Sequence, residues 1–163
     1  MKTSEFPKLS SSAQKIQEAL NNAGFSCEVV EFTESTRTAQ EAADKVGCEL
    51  GQIVKSLIFK GTISNKPVLV LASGVNRVNE ELISNYANEK IARADAEYVR
   101  SVTGFVIGGV PPIAHQAPME TYIDEDLYLH ETIWAAAGTP KAVFLLRPQE
   151  LEKMTKGKVC PIK

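Results

Sequence analysis

Hydrophobic and polar positions follow two periods along the chain, and each period predicts a different kind of element. Apolar residues spaced by three and four predict a helix over roughly 12–23 and a shorter one that Thr38 caps. Asn79 and Asp95 are predicted to cap two further helices, and Pro148 fits the first turn of a last one. Five helices are therefore expected.

Runs of β-branched and aromatic residues predict the strands. Residues 53–60 and 66–73, IVKSLIFK and KPVLVLAS, favour an antiparallel hairpin at the centre of a sheet. Residues 25–32 indicate another strand, and shorter ones are expected at IARAD, TYI, TIWAAAG and AVFLLR. Because helices and hairpins are interleaved, the pattern predicts a single α/β or α+β domain over residues 1–163. Its mixed, partly antiparallel central sheet is flanked by helices.

The pattern breaks at residues 103–118, TGFVIGGVPPIAHQAP, which hold three glycines and three prolines. That content predicts a structured loop. Gly108 and Gly109 allow backbone N–H groups to approach a ligand closely, and Pro111 and Pro112 stiffen the next part of the loop. A tight connection that binds nothing is the alternative. The loop has no Walker motif, so nucleotide binding has little support.

A length of 163 residues with 44% apolar and 23% charged side chains is typical of one globular domain that needs no disulfide or structural metal. The net charge of −2 argues against a protein that coats nucleic acid or an anionic membrane nonspecifically. Residues 141–163, however, carry six basic and two acidic side chains, against 12 and 18 in residues 1–140. This basic stretch is either a solvated helix face with a terminus or an edge that contacts phosphates.

Cysteine and histidine usage indicates neither a disulfide framework nor a zinc site. Cys27, Cys48 and Cys160 include no C-x-x-C pair, and His115 and His130 lie far from them in the sequence. We therefore expect no metal and no cofactor. The first residues lack the apolar core of a secretion signal, and no run of about 18 apolar residues occurs. A cytoplasmic protein with no membrane partner is expected.

Lys55 is the first candidate for chemistry. In a regular strand it shares one face with Ile53, Leu57 and Phe59, so a lysine interrupts an apolar stripe. Two interpretations stay open. The side-chain stem covers the core while the ammonium reaches water, or the ammonium is held at the rim of a pocket and directed at an anion or a developing oxyanion.

His115, in the glycine-rich loop, and Asp124, in YIDED, are the other candidates. His115 can donate to a ligand or cap loop carbonyls, and Asp124 can cap a turn or hold loop N–H groups. No Ser-His-Asp order, H-E-x-x-H motif, carboxylate pair or reactive cysteine is visible. The usual pairing of nucleophile and base is therefore missing.

Lys55 in QIVKSLIFK, the loop TGFVIGGVPPIAH, the downstream YIDE and the order of elements together resemble one family. This is the family of YbaK-type proteins and of the editing domain inserted in bacterial prolyl-tRNA synthetases. The resemblance covers nearly the whole chain, and the free-standing members are the closer likeness. It implies a YbaK-like fold and hydrolysis of the ester that joins a wrong, small amino acid to tRNA, typically tRNA-Pro.

The resemblance also implies site residues. The family lysine that matches Lys55 is functionally required, which makes Lys55 the expected catalytic residue. The substrate is expected to contribute a hydroxyl of its terminal ribose, with protein groups positioning it and the water, which would explain why no protein nucleophile is visible. The expected substrate-binding residues are Gly104, Gly108, Gly109, Pro112, His115 and Asp124. Some relatives lack this histidine or carry Ser-Pro at 111–112, so these positions are expected to tune which amino acid is accepted.

The expected partners are the acceptor end of an aminoacyl-tRNA and prolyl-tRNA synthetase or other translation factors, and the oligomeric state stays open. A trans-editing deacylase is the favoured function. The first alternative is a noncatalytic module that binds aminoacyl-tRNA, a synthetase or a small adenylate through the same pocket. The second is an unrelated small-molecule enzyme on the same fold.

Overall fold

The helices begin and end close to the predicted caps. The computed structural model describes residues 9–163, and residues 1–8 of the predicted domain lie outside the described residues. Thr38, Asn79 and Asp95 each accept a hydrogen bond from the backbone N–H three residues on. The described helices are α1 (Ser11–Asn22), α2 (Ala39–Val46), α3 (Glu80–Ala87), α4 (Ala96–Thr103) and α5 (Pro148–Thr155). None of these helices is long and apolar enough to cross a membrane.

The strands form two sheets in the described part of the chain. They are β1 (Val29–Glu31), β2 (Val54–Gly61), β3 (Pro67–Ser73), β4 (Ile91–Arg93), β5 (Glu120–Asp124), β6 (Ile133–Ala136), β7 (Ala142–Leu146) and β8 (Lys158–Cys160). The larger sheet has the order β4-β2-β3-β5-β8, antiparallel as far as β3 and parallel beyond it. The smaller sheet, β1-β7-β6, is antiparallel. The α/β class, the mixed sheet and the central β2–β3 hairpin are confirmed, and the second sheet is an addition.

The larger sheet is buried on both faces. Val54 and Ile58 of β2 face the main core, which α1, α4 and α5 also line. Phe59, on the opposite face, packs with Val68 and Val70 in a second core beneath α3. Because side chains of β3 are buried on either side, its sequence is continuously apolar instead of alternating.

The last basic residues belong to the fold. β8 adds a parallel strand to β5, and Ile162 beyond it is completely buried in the second core. The Lys163 ammonium lies 2.9 Å from the carboxylate of Asp126. The basic side chains Lys158 and Lys163 are exposed, as a solvated terminus requires, but the buried side chain of Ile162 fixes this segment to the sheet.

Candidate active site

An unpaired edge of β2 marks the candidate site. β4 pairs with only the last three residues of β2. On the same side, β6 reaches only Ile53, through an isolated parallel bridge from Trp134. Lys55–Leu57 consequently face a gap between β4 and β6, with no strand partner on that side among residues 9–163. Backbone groups along this edge are available to a ligand.

Ser56 lies in the middle of this gap. The carbonyl of Ile58 accepts from the N–H of Ala94 on the open side. Since strand backbone groups alternate in direction, the N–H and C=O of Ser56 point into the same gap. Its Oγ is buried and has no hydrogen-bond partner in the described structure. A buried hydroxyl without a partner is costly until a ligand or water pairs with it.

Two cavities flank the edge, with volumes of about 340 and 260 Å³. Both are lined by Lys55, Ser56, Leu57 and Ile107, so the cavities meet at these residues. Ile107 belongs to the glycine-rich loop and is largely exposed. The loop therefore covers the open edge from the solvent side.

The larger cavity has charged side chains on its wall. Arg77, Glu80 and Arg93 line it together with the apolar Val78 and Val99. Arg93 Nε lies 3.4 Å from the carboxylate of Glu80, and both side chains are exposed, so this ion pair contributes little to stability. With Lys55 also on its wall, the cavity suits an anionic or strongly polar ligand.

The smaller cavity has a different wall. Small, hydroxyl-bearing and aromatic residues dominate it, among them Thr38, Trp134, Ala136 and Thr139, and Arg37 adds one positive charge. Such a lining offers a few polar groups among apolar surface. The cavity suits a small organic group.

The Lys55 side chain is held at the junction of the cavities. Its Nζ donates a hydrogen bond of 2.5 Å to the backbone carbonyl of Asn76, which follows β3. Burial lowers the pKa of Lys55, and the negative charge of Asp124 partly opposes that effect. The ammonium is thus fixed and half-buried, which supports the pocket-rim interpretation over a side chain that extends freely into water.

Asp124 lines neither cavity and supports Asn76, the residue whose carbonyl holds Lys55. It is buried, and its Oδ2 accepts from the Ser73 N–H at 2.9 Å and from the Asn76 carboxamide at 2.8 Å. Its Oδ1 accepts from the N–H of Asp126 and so caps a 3-10 turn. The structure places it as a support of the loop after β3, and its predicted substrate contact stays a prediction.

The predicted glycines have separate surroundings. Gly108 lines the smaller cavity at a φ of +90°, a backbone conformation that favours glycine. At Gly109 an added Cβ would lie 2.7 Å from Cα of Thr139, so only glycine lets the loop pack against that turn. Gly104 ends α4 in the left-handed conformation and lines neither cavity.

Pro112 and His115 lie in another depression, of about 450 Å³, which shares no residue with the two cavities beside Lys55. His115 Nε2 lies 2.6 Å from the carbonyl of Pro111. Burial lowers the pKa of His115, and that hydrogen bond partly opposes the shift. The histidine therefore holds a loop carbonyl in this structure, and the structure does not bring Pro112 or His115 to Lys55.

The sequence did not identify Ser56, Asn76 or Arg77 as site residues. Ser56 stands among apolar residues of β2, and a single serine in a strand carries no chemical signature. Asn76 and Arg77 stand just after the buried strand β3, and polar residues at that position were the available signal. Only the fold shows that Asn76 and Arg77 lie beside Lys55.

Comparison with known proteins places the chain in a family. The family model of the aminoacyl-tRNA editing domain matches residues 33–154, which include every predicted site residue. The chain belongs to this family. Within it, residues 33–154 contain β2, the loop and β5, and therefore the whole candidate site.

Three relatives give the editing-domain assignment more detail. A crystal structure of a protein proposed as a trans-editing enzyme for prolyl-tRNA synthetase is 46% identical, with a TM-score of 0.91, over 96% of this chain and 99% of that one. EbsC of Enterococcus faecalis, proposed as a Cys-tRNA(Pro)/Cys-tRNA(Cys) deacylase, is 26% identical over 80% of each chain. The proline–tRNA ligase of Limosilactobacillus fermentum is 31% identical over 58% of this chain and 17% of the ligase. The YbaK-like fold is thereby confirmed.

Proposed function

We propose that this editing domain is a trans-editing hydrolase that deacylates mischarged tRNA, with tRNA-Pro carrying a small non-cognate amino acid as its substrate. The family and the names of its relatives support deacylation of aminoacyl-tRNA in general. The match to a proline–tRNA ligase supports tRNA and synthetase-related partners. The observation that carries the proposal is the anchored Lys55 at an unpaired strand edge, between a charged cavity and a small apolar one.

The two cavities divide the substrate between them. The terminal adenosine and its phosphate enter the larger cavity, where Arg77 and Arg93 are placed to meet negative charge. The aminoacyl side chain enters the smaller cavity, where Trp134 and Thr139 limit its size. The ester then lies at the junction, beside Lys55 and Ser56.

The reaction needs no protein nucleophile, because an aminoacyl ester is already an activated acyl group. Water adds to the ester carbonyl carbon, and the carbonyl oxygen becomes an oxyanion. The Lys55 ammonium and the Ser56 N–H lie at the junction and stabilise this charge. The bond from the carbonyl carbon to the ribose oxygen then breaks, a proton from the water passes to that oxygen, and the free amino acid leaves. A neighbouring ribose hydroxyl positions the water.

Specificity comes from the smaller cavity. A small pocket excludes larger side chains by volume, but one methylene changes the binding free energy by only about 1–3 kcal/mol. Several small amino acids, including alanine, serine, threonine and cysteine, are therefore accepted to different degrees.

The test is a panel of tRNA-Pro species charged with alanine, serine, threonine, cysteine or proline, each in large excess over the protein. Release of many equivalents of a non-cognate amino acid, with the prolyl ester spared, is the expected result. Binding of charged tRNA with less than one equivalent released would overturn catalysis and favour the noncatalytic module. Inertness without binding toward the entire panel would overturn the assignment to tRNA-Pro.

A further inference from the structure

Asn76 connects Lys55 to two carboxylates. It lies just after β3 and is buried, with 7% of its surface exposed. Its backbone carbonyl accepts the hydrogen bond of Lys55 Nζ, at 2.5 Å. Its carboxamide nitrogen donates to Oδ2 of Asp124 and to Oδ2 of Asp126, both at 2.8 Å. One residue therefore contacts the lysine through its backbone and the protein interior through its side chain.

The carboxamide is fixed on both sides. A carboxamide nitrogen has two N–H groups, and each of them has its own carboxylate partner here. Asp124 is held by the Ser73 N–H, and Asp126 by the ammonium of Lys163 at 2.9 Å. Hydrogen bonds to charged groups are stronger than neutral ones, so the network resists rotation of the Asn76 backbone.

We infer that Asn76 is the positioning residue for Lys55, and that the clamp of Asp124 and Asp126 on its carboxamide fixes the carbonyl that orients the ammonium. The inference rests on the proposed function for its kinetic consequence. A lysine side chain has many rotamers, and ordering it costs conformational entropy at the moment of reaction. A carbonyl fixed in advance removes that cost and holds Nζ at the junction of the cavities.

Asn76→Ala removes the clamp and leaves every cavity-lining side chain in place. We expect kcat to fall about 10- to 100-fold, the range expected when a catalytic group is displaced by about 1 Å, with KM changed far less. Asn79→Ala is the matched control. It removes a carboxamide that caps α3, three residues further on, and destabilises the fold without contact with Lys55. A merely structural role predicts the same kcat for both variants.

The NMR signals of the lysine Cε and Nζ nuclei give a readout that is independent of activity. Lys55 is assigned by comparison with Lys55→Arg, and its titration is followed in wild type and in Asn76→Ala. Because burial is the main cause of its lowered pKa, release of the ammonium into water should raise that pKa. The charged groups around Lys55 stay in both proteins: Asp124 behind Asn76, and Arg37, Arg77, Glu80 and Arg93 on the cavity walls.

An Asn76→Ala protein that folds with unchanged kcat and an unchanged Lys55 titration would overturn the inference. Should that variant not fold, Asp126→Ala removes one of the two anchors near the surface, and it must show a smaller change of the same kind. An inert wild type would overturn the proposed function, while the Lys55 titration in the two proteins would still decide whether Asn76 positions the lysine.

Discussion

Lys55 owes its position to backbone as much as to side chains. Its Nζ is held by the carbonyl of Asn76, and the adjacent Ser56 presents a backbone N–H to the same gap. The sequence predicted the lysine because a cation interrupted an apolar stripe, a local signal that needs no knowledge of the fold. It did not predict that the carbonyl of Asn76, 21 residues away, accepts the hydrogen bond of Lys55. The two residues meet only when the β2–β3 hairpin forms.

Lys55→Ala should lower kcat by about 100-fold or more, the loss typical of removing one group that stabilises an oxyanion. The free energy of unfolding should change by less than about 1 kcal/mol, because the side chain is only half-buried and leaves no apolar cavity. Single-turnover deacylation and urea denaturation measure the two effects.

Lys60→Ala is the matched control on the same strand. Its ammonium lies over the ring of Tyr98, 4.8 Å from the ring centroid, and lines neither cavity. Deacylation by this variant should match wild type. Full activity in Lys55→Ala, or an equal loss in both variants, would contradict the catalytic assignment.

Elements with local signals were predictable. Thr38, Asn79 and Asp95 specify helix starts through a single side-chain hydrogen bond, and two apolar runs close in sequence specify the hairpin. The second sheet was not predictable, since β1 pairs with β7 across more than a hundred residues. The strand expected over 25–32 shortens to β1 for the same reason, because pairing partners and not propensity set its ends.

The strand β8 is an element that the sequence pattern did not predict. Its three residues have no distinctive pattern, and charge alone made residues 141–163 resemble a solvated face. Ile162 anchors this segment to the fold, because it is completely buried in the core beneath α3. Docking of this segment also sets Lys163 against Asp126 and thereby links it to the network behind Lys55.

Ile162→Ala should lower the free energy of unfolding by about 2–5 kcal/mol, the cost of truncating a buried isoleucine. Ile63→Ala should change it by less than about 0.5 kcal/mol, because Ile63 is 81% exposed. Urea denaturation followed by circular dichroism compares the two variants. Equal stability of both would show that residues 158–163 do not pack as described.

At the scale of the whole molecule, charge restricts how tRNA is held. A net charge of −2 leaves little attraction for a polyphosphate, and the cations that line the two cavities are Lys55, Arg37, Arg77 and Arg93. Under the proposed function, these few cations favour contact with the acceptor end alone and ready release of the tRNA. Specificity then comes from the cavities, since phosphate contacts position a nucleic acid without reading it.

Affinity for charged tRNA should therefore depend weakly on salt. About three contacts to single-stranded phosphates give a slope of log K against log salt of roughly −2, at about 0.7 per contact. Arg77→Gln should make the slope shallower by about 0.7, whereas Arg147→Gln, in the ion pair with Glu150, should leave it unchanged. Fluorescence anisotropy at several salt concentrations measures both. A slope of about −6 or steeper would contradict the local contact.

The unpaired edge at Lys55–Leu57 also bears on self-association. Long, flat strand edges recruit strands from other chains and lead to aggregation. Here β4 and β6 close the gap at both ends, and only three residues of β2 are open. A strand from another molecule finds too few partners to pair there, while a single ester group needs only one or two. This stretch of β2 thus exposes backbone hydrogen-bonding groups to a ligand without itself offering a template for intermolecular β-pairing.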